Sequence, residues 1–171
     1  TNNKNQRESF EKFCMDNFFW LDDFSLFVCL KERLHGQIWN KWPAELRDRD
    51  ETALRPLLLE CATHVEKVKF LQYLFFKQLE SLKDYCQEKD IHPVGDLSIY
   101  PNFDSADVWA HIELFYMDEE GHPTVVAGVP PDYFSPTGQL WGNPLYRWDK
   151  HAATGYAWWI DRFRAVLQTV D

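Results

Sequence analysis

One carboxylate interrupts a short apolar run in the second half of the chain. Asp96 lies within residues 91–100, which follow a long helical pattern and are otherwise mainly apolar. Burying a charge without a partner is costly, so such an aspartate is paired, bound to a ligand or catalytic. Sites in α/β sheets and barrels lie at the carboxyl ends of strands, where we place Asp96. The alternative is a structural aspartate that pairs with an arginine or with backbone amides.

The second candidate is the loop of residues 128–148. Its prolines and glycines fix an irregular path, along which lie a carboxylate, two side-chain amides and five large aromatic rings. Polar groups interleaved with flat rings are suited to a polyhydroxylated ring ligand such as a sugar. Helical periodicity does not explain these rings. The alternative is a loop that folds on itself and uses the rings as a small core.

Other chemistry has little support in the sequence. The six histidines show no metal-binding spacing, and there is no phosphate-binding glycine loop and no serine nucleophile motif. The cysteines are widely spaced, lie in helix-like apolar surroundings and are predicted to be reduced thiols: Cys14, Cys29, Cys61 and Cys86. We therefore expect no metal, no cofactor and a cytoplasmic location.

Composition excludes several classes of protein. The 171 residues are 45% hydrophobic, which is too apolar for a disordered chain, and carry a net charge of -9. Nucleic acids and anionic membranes need a basic face, so we expect neither as a partner. No run approaches the roughly 18–20 apolar residues of a membrane span. The polar start has no signal-peptide core.

The spacing of apolar residues divides the chain in two. Residues 1–90 are predicted to be helical, with a helix capped by Asp22 or Asp23 and ending at Gly36, and a long helix from about residue 56 to 89. Residues 73–76 are apolar on all sides, which predicts burial all round. In residues 91–171 we expect one strand near 91–100, long loops with a helical turn at 105–110, and a last helix over 156–169. Both parts form one structural unit.

Several segments resemble a known enzyme family. They are Gly-Asp-Leu-Ser-Ile-Tyr (95–100), Asp-Ser-Ala-Asp-Val-Trp (104–109) and Val-Ala-Gly-Val-Pro-Pro-Asp-Tyr-Phe-Ser-Pro-Thr-Gly-Gln-Leu-Trp-Gly-Asn-Pro-Leu-Tyr-Arg-Trp (126–148). They resemble the amylomaltases, the 4-alpha-glucanotransferases of glycoside hydrolase family 77. Shorter stretches at 20–24, 42–47 and 70–76 are also similar to that family. Two departures are Ser98, where the family usually has proline, and Pro101-Asn102, where it has an apolar pair.

The resemblance implies an α/β fold, a segment of a (β/α)8 TIM barrel that is mainly helical in this chain. It also implies transfer of an α-1,4-glucan segment to the 4-hydroxyl of an acceptor sugar, through a retaining double displacement. Loop 132–141 resembles the family's lid over the cleft. The implied substrate-binding residues are Asp96, Asp132, Tyr133, Phe134, Gln139, Trp141 and Asn143.

The resemblance places the family's nucleophile in an Arg-Ile-Asp-His motif, and Asp171 does not match it. We therefore expect this chain to be a segment of a longer enzyme, with no catalytic carboxylate of its own and no transferase activity alone. A segment of a barrel exposes apolar surface, so we also expect self-association. The alternatives are a free-standing helical module with a sugar-binding loop and a structural interaction protein that uses residues 73–76.

Overall fold

The computed structural model describes residues 2–170 of the protein, which are mainly helical. In chain order its helices and strands are α1 (Asn2–Asp16), α2 (Phe18–Arg33), α3 (Ala44–Arg47), α4 (Glu51–Glu60), α5 (Ala62–Glu88), α6 (Ala106–Ala110), β1 (Val126–Val129), β2 (Gln139–Pro144), α7 (Trp148–Ala153) and α8 (Ala157–Leu167). Short 3₁₀ helices cover Trp39–Lys41 and Ile112–Leu114. No helix in residues 2–170 is both long and apolar enough to cross a bilayer. Asp171 lies outside the described residues.

Helix α2 begins earlier than the sequence predicted. The expected cap was Asp22 or Asp23, but the helix begins at Phe18, directly after Asn17. The Asn17 amide nitrogen donates to the Phe13 carbonyl (2.9 Å), and its oxygen accepts from the Trp20 indole (3.1 Å). Because Asn17 links both helices, the chain turns from α1 to α2 within one residue.

The predicted long helix is two helices. Asp50 begins α4 by accepting hydrogen bonds from the backbone N–H groups of Thr52 (2.7 Å) and Ala53 (3.2 Å), which belong to the first turn. Cys61 separates α4 from α5. The apolar spacing continues through this break, so periodicity alone could not locate it.

Helix α5 is covered on one side only. Tyr73 is buried against the rings of Phe10 and Phe13, and its hydroxyl lies 3.2 Å from the Ser9 hydroxyl. Phe75, two residues later, is 55% exposed. The prediction that residues 73–76 are buried all round is therefore wrong for this chain, because α1 and α2 pack against a single face. The expected self-association would depend on the exposed face.

The core is built around tryptophans whose N–H groups are all satisfied. Trp39, Trp42 and Trp109 are almost completely buried together with apolar residues of α2. Their indoles donate to backbone carbonyls of Phe103 (2.7 Å), Gln37 (2.9 Å) and Leu46 (3.0 Å), respectively. Buried donors need such partners. The segment that follows Asp96 is thereby fastened to the helical part.

The strand that the sequence predicted near residues 91–100 is not observed. Residues 91–98 carry no regular secondary structure, and the strands within residues 2–170 are β1 and β2, which pair antiparallel. A parallel strand requires neighbouring strands as hydrogen-bonding partners. The described residues supply none beside 91–100. A mainly helical chain with one small sheet is consistent with a segment of a TIM barrel.

His151 is expected to make the fold sensitive to acid. Its side chain is fully buried among the rings of Tyr146, Trp148 and Trp158, and neither ring nitrogen has a hydrogen-bond partner in the described part of the chain. Burial lowers the pKa of His151 below its ordinary 6.5, and the weaker opposing effect of the Glu113 charge does not offset it. Below about pH 6.5 the unfolded chain binds a proton at this histidine more readily than the folded chain does. The free energy of unfolding therefore decreases as the pH is lowered, until the folded histidine is also protonated.

The measurement is urea unfolding between pH 7.5 and 5. His151→Phe keeps a ring in the cluster and should flatten the dependence of the unfolding free energy on pH. The control His35→Asn changes an exposed histidine whose φ of 54° asparagine tolerates. If His151→Phe leaves the pH slope as steep as in the parent chain, His151 is not the sensitive group.

Candidate functional site

Asp96 lies at a cavity of about 600 Å³ between α2, α6 and α8. Its apolar wall includes the rings of Trp20, Phe24 and Trp158, and its charged wall includes Asp107 and Arg162. Asp96 itself is exposed, and it makes no hydrogen bond or ion pair within the described residues. The prediction of a buried, desolvated carboxylate is therefore wrong here, because no strand covers residues 91–100. The carboxylate is free to bind a ligand.

Asp107 brings a second carboxylate to the same cavity. It lies in the first turn of α6, whose N-cap Ser105 accepts a hydrogen bond from the Val108 N–H (3.3 Å). Burial raises the pKa of Asp107, while the nearby charges of Arg162 and His111 lower it in part. A carboxyl with a raised pKa, beside a cation and flat rings, can exchange hydrogen bonds with the hydroxyls of a polar ring ligand.

The loop of residues 128–148 contains a hairpin that sequence reasoning read as a loop. β1 and β2 pair with Gly128 opposite Leu140 and Val129 opposite Gln139. The connection between them returns through Gly138, whose φ of +75° favours glycine. A Cβ atom there would lie 2.5 Å from the Val129 carbonyl oxygen, so no other residue fits without a shift.

Asp132 fixes the hairpin tip with one of its two carboxylate oxygens. Its Oδ1 accepts hydrogen bonds from the N–H groups of Phe134 (3.0 Å) and Ser135 (2.8 Å). This arrangement leaves Oδ2 for a ligand. The rings of Tyr133 and Phe134 then point away from the core, being 95% and 88% exposed. The two rings meet edge to face, with 5.6 Å between their centroids.

Gln139 and Trp141 form a second polar pair on the hairpin. The Trp141 indole N–H donates to Gln139 Oε1 (3.0 Å), which leaves the Gln139 amide N–H groups to donate elsewhere. Both side chains are exposed. Asn143 is less free, because its amide nitrogen donates to the Pro101 carbonyl (2.8 Å).

Three of the five rings of the loop separate the two interpretations that the sequence left open. Tyr133 and Phe134 are exposed, as a binding surface requires. Tyr146 is 4% exposed and packs against Phe115, Trp158 and other rings, as a small core requires. The hairpin tip therefore remains a candidate surface, and its base is structural.

The structure places the predicted residues on two surfaces. Asp96 lies at the cavity, and the hairpin residues 132–141 lie outside its lining. The two are joined through residues 99–101, since Tyr100 contacts the Trp141 ring (6.4 Å between centroids) and Pro101 accepts from Asn143. Sequence reasoning missed Trp158 and Arg162, because α8 resembles an ordinary amphipathic helix. Asp107 could have been found, since it lies in the 104–109 motif.

Comparison with known proteins identifies the family of this chain. The sequence model of the 4-alpha-glucanotransferase family, glycoside hydrolase family 77, matches residues 1–171. The chain belongs to this family. The 4-alpha-glucanotransferase of Thermus thermophilus is 49% identical over 163 residues, which are 95% of this chain and 33% of that protein. The Aquifex aeolicus 4-alpha-glucanotransferase is 44% identical over 164 residues, or 96% of this chain and 34% of that protein.

A solved structure of the same family has the same fold over this region. The amylomaltase from Streptococcus agalactiae, solved in complex with acarbose, superimposes with a TM-score of 0.90 at 35% sequence identity. The match covers 96% of this chain and 33% of the amylomaltase. The chain thus spans about a third of the length of the 4-alpha-glucanotransferases that it matches. The predicted family and the barrel-segment fold class are confirmed.

Proposed function

We propose that this chain forms a glucan-holding part of a 4-alpha-glucanotransferase. In that reaction an α-1,4-glucan segment passes to the 4-hydroxyl of an acceptor sugar, through a covalent glycosyl-enzyme made by one carboxylate and assisted by a second. The observation that carries the proposal is the family match over the whole chain. The Arg-Ile-Asp-His motif does not occur in residues 1–171, so the proposal assigns the nucleophile to another part of the enzyme.

The hairpin tip is the proposed sugar platform. The exposed rings of Tyr133 and Phe134 offer flat apolar faces to the C–H faces of glucose units, and Trp141 on the same hairpin adds a ring that is 46% exposed. Asp132 Oδ2 accepts from a sugar hydroxyl, and the Gln139 amide donates to another, because their remaining atoms are held by the hairpin itself. The platform is therefore already ordered before a ligand binds, which reduces the entropy lost on binding.

Asp96 is the proposed anchor on the cavity side. Its free carboxylate accepts hydrogen bonds from sugar hydroxyls, and charged acceptors form stronger hydrogen bonds than neutral ones. Asn143 acts by holding Pro101, which lies between Asp96 and the hairpin. A glucan that contacts both surfaces is the acceptor or donor chain of the transfer.

The proposal is tested by titrating this chain with maltoheptaose and following its amide signals by NMR. We expect the signals of residues 132–141 and 96–98 to shift together with one dissociation constant. Cellopentaose, with β-1,4 links, is the matched control and should shift neither group. Asp96→Asn should weaken maltoheptaose binding by about tenfold, the cost of one charge-assisted hydrogen bond. Equal shifts with both sugars, or none with maltoheptaose, contradict the proposal.

A transfer assay distinguishes sugar binding from catalysis. Incubated with maltotriose, this chain should produce no longer oligosaccharides, because it holds the sugar without the nucleophile. Formation of maltotetraose or longer products by the chain alone would show that the carboxylates assigned here to binding also react.

A further inference from the structure

The backbone that follows Asp96 is held by side chains in place of a β-ladder. The carbonyl of Ser98 accepts from Arg162 Nη2 (3.1 Å), that of Ile99 from the Tyr146 hydroxyl (2.8 Å), and that of Pro101 from the Asn143 amide (2.8 Å). A backbone carbonyl without a strand partner needs another donor or water. Three of the four carbonyls between residues 98 and 101 are thus fixed by side chains from later in the chain.

The backbone just before Asp96 is also confined. A Cβ atom on Gly95 would lie 2.6 Å from Cγ1 of Val170, which follows α8. Such a distance is closer than real contacts allow, so Gly95 permits the close approach of this backbone to Val170. The backbone on either side of Asp96 is therefore held, by Val170 at Gly95 and by Arg162 of α8 at Ser98.

Arg162 is itself firmly placed. Its guanidinium lies over the ring of Trp158 (4.7 Å to the centroid) and near that of Trp159 (5.2 Å). Its Nη1 lies 3.4 Å from the Tyr146 hydroxyl, which in turn donates to Ile99. Stacking on rings and a planar set of donors suit arginine and do not suit lysine. One side chain therefore acts on two adjacent carbonyls, directly at Ser98 and through Tyr146 at Ile99.

We propose that Arg162 is a positioning residue that sets the place of Asp96 beside the cavity. This proposal rests on the proposed function, because it takes Asp96 to be a residue that binds the sugar. Although Arg162 also lines the cavity, in this role it acts through the backbone and not through a contact with the glucan. It fixes the backbone two residues after Asp96, and the same backbone continues through Tyr100 and Pro101 to the hairpin. The distance between the anchor and the ring platform is therefore set through this segment.

The experiment compares Arg162→Lys with Arg164→Lys in this chain. Arg164 lies on the same helix and donates to Asp161 (3.0 Å), and in the described part of the chain it makes no hydrogen bond to residues 95–101. Without ligand, we expect Arg162→Lys to shift the NMR signals of amides 95–101 and to increase their fast motion, while Arg164→Lys leaves them unchanged. Tyr146→Phe, which removes only the hydroxyl, should move the same amides. Unchanged amides in Arg162→Lys would overturn the proposal.

A double-mutant cycle with Asp96→Asn distinguishes positioning from general stability. Arg162→Lys should weaken maltoheptaose binding by about tenfold in the parent chain and by less than about twofold when Asp96 is already asparagine. An equal loss in both backgrounds means that Arg162 serves the fold alone, and overturns the proposal. If the parent chain does not bind maltoheptaose, the proposed function fails, while the ligand-free amide signals still decide whether Arg162 orders this segment.

Discussion

Replacing Trp109 with alanine should lower the free energy of unfolding by about 3–5 kcal/mol. Trp109 is 1% exposed, and its ring packs against Phe27 (5.8 Å between centroids) and Trp42 (5.6 Å). The guanidinium of Arg49 covers the ring at 4.3 Å. Removal leaves a cavity between α2, α3 and α6 and takes the indole donor from the buried Leu46 carbonyl. Urea unfolding followed by circular dichroism measures the loss.

One further variant isolates the hydrogen bond of Trp109, and a second serves as the control for losing a tryptophan elsewhere. Trp109→Phe keeps most of the ring but leaves the Leu46 carbonyl without its donor, which costs roughly 1–3 kcal/mol. Trp141→Ala removes a tryptophan that is 46% exposed, and its effect on unfolding should stay within about 0.5 kcal/mol. A loss below about 1 kcal/mol for Trp109→Ala would show that this ring does not join the loop segment to the helical core.

The helices were predictable because their signals are local. The end of α2 near Gly36, the turn at Ala106–Ala110 and the last helix follow from apolar spacing and capping residues that neighbour each other in the sequence. The break at Cys61 and the start at Phe18 were missed. The first has no breaker residue, and the second depends on an asparagine that bonds to the preceding helix.

The candidate site was only partly predictable, for a different reason. The rings of the hairpin tip stand out in the sequence because no periodicity explains them. Arg162 gives no such signal, since its role depends on carbonyls that lie 64 residues earlier in the chain. The exposure of Asp96 was also not predictable, because burial of residues 91–100 depends on which strands lie beside them. Local patterns identify residue types, whereas these contacts are set by distant parts of the chain.

Replacing both Tyr133 and Phe134 with alanine should weaken maltoheptaose binding by roughly 2–4 kcal/mol, or about 30- to 1,000-fold. The two rings are the most exposed of the hairpin aromatics, and the backbone between Asp132 and Ser135 holds them in place. Flat rings of this kind supply large apolar area with few rotatable bonds, so their loss removes contact that the polar groups cannot replace. Isothermal titration calorimetry measures the change in affinity.

The same double variant should leave the unfolding free energy within about 0.5 kcal/mol of the parent, because rings that are 95% and 88% exposed bury little surface in the free protein. Leu140→Ala is the matched control, since Leu140 is an apolar residue of the same hairpin that is 82% exposed and has no ring. This variant should bind maltoheptaose as the parent does. If Leu140→Ala weakens binding as much as the ring variant, the hairpin contributes only general apolar contact. If only the ring variant binds weakly, the flat faces of Tyr133 and Phe134 are what selects a sugar.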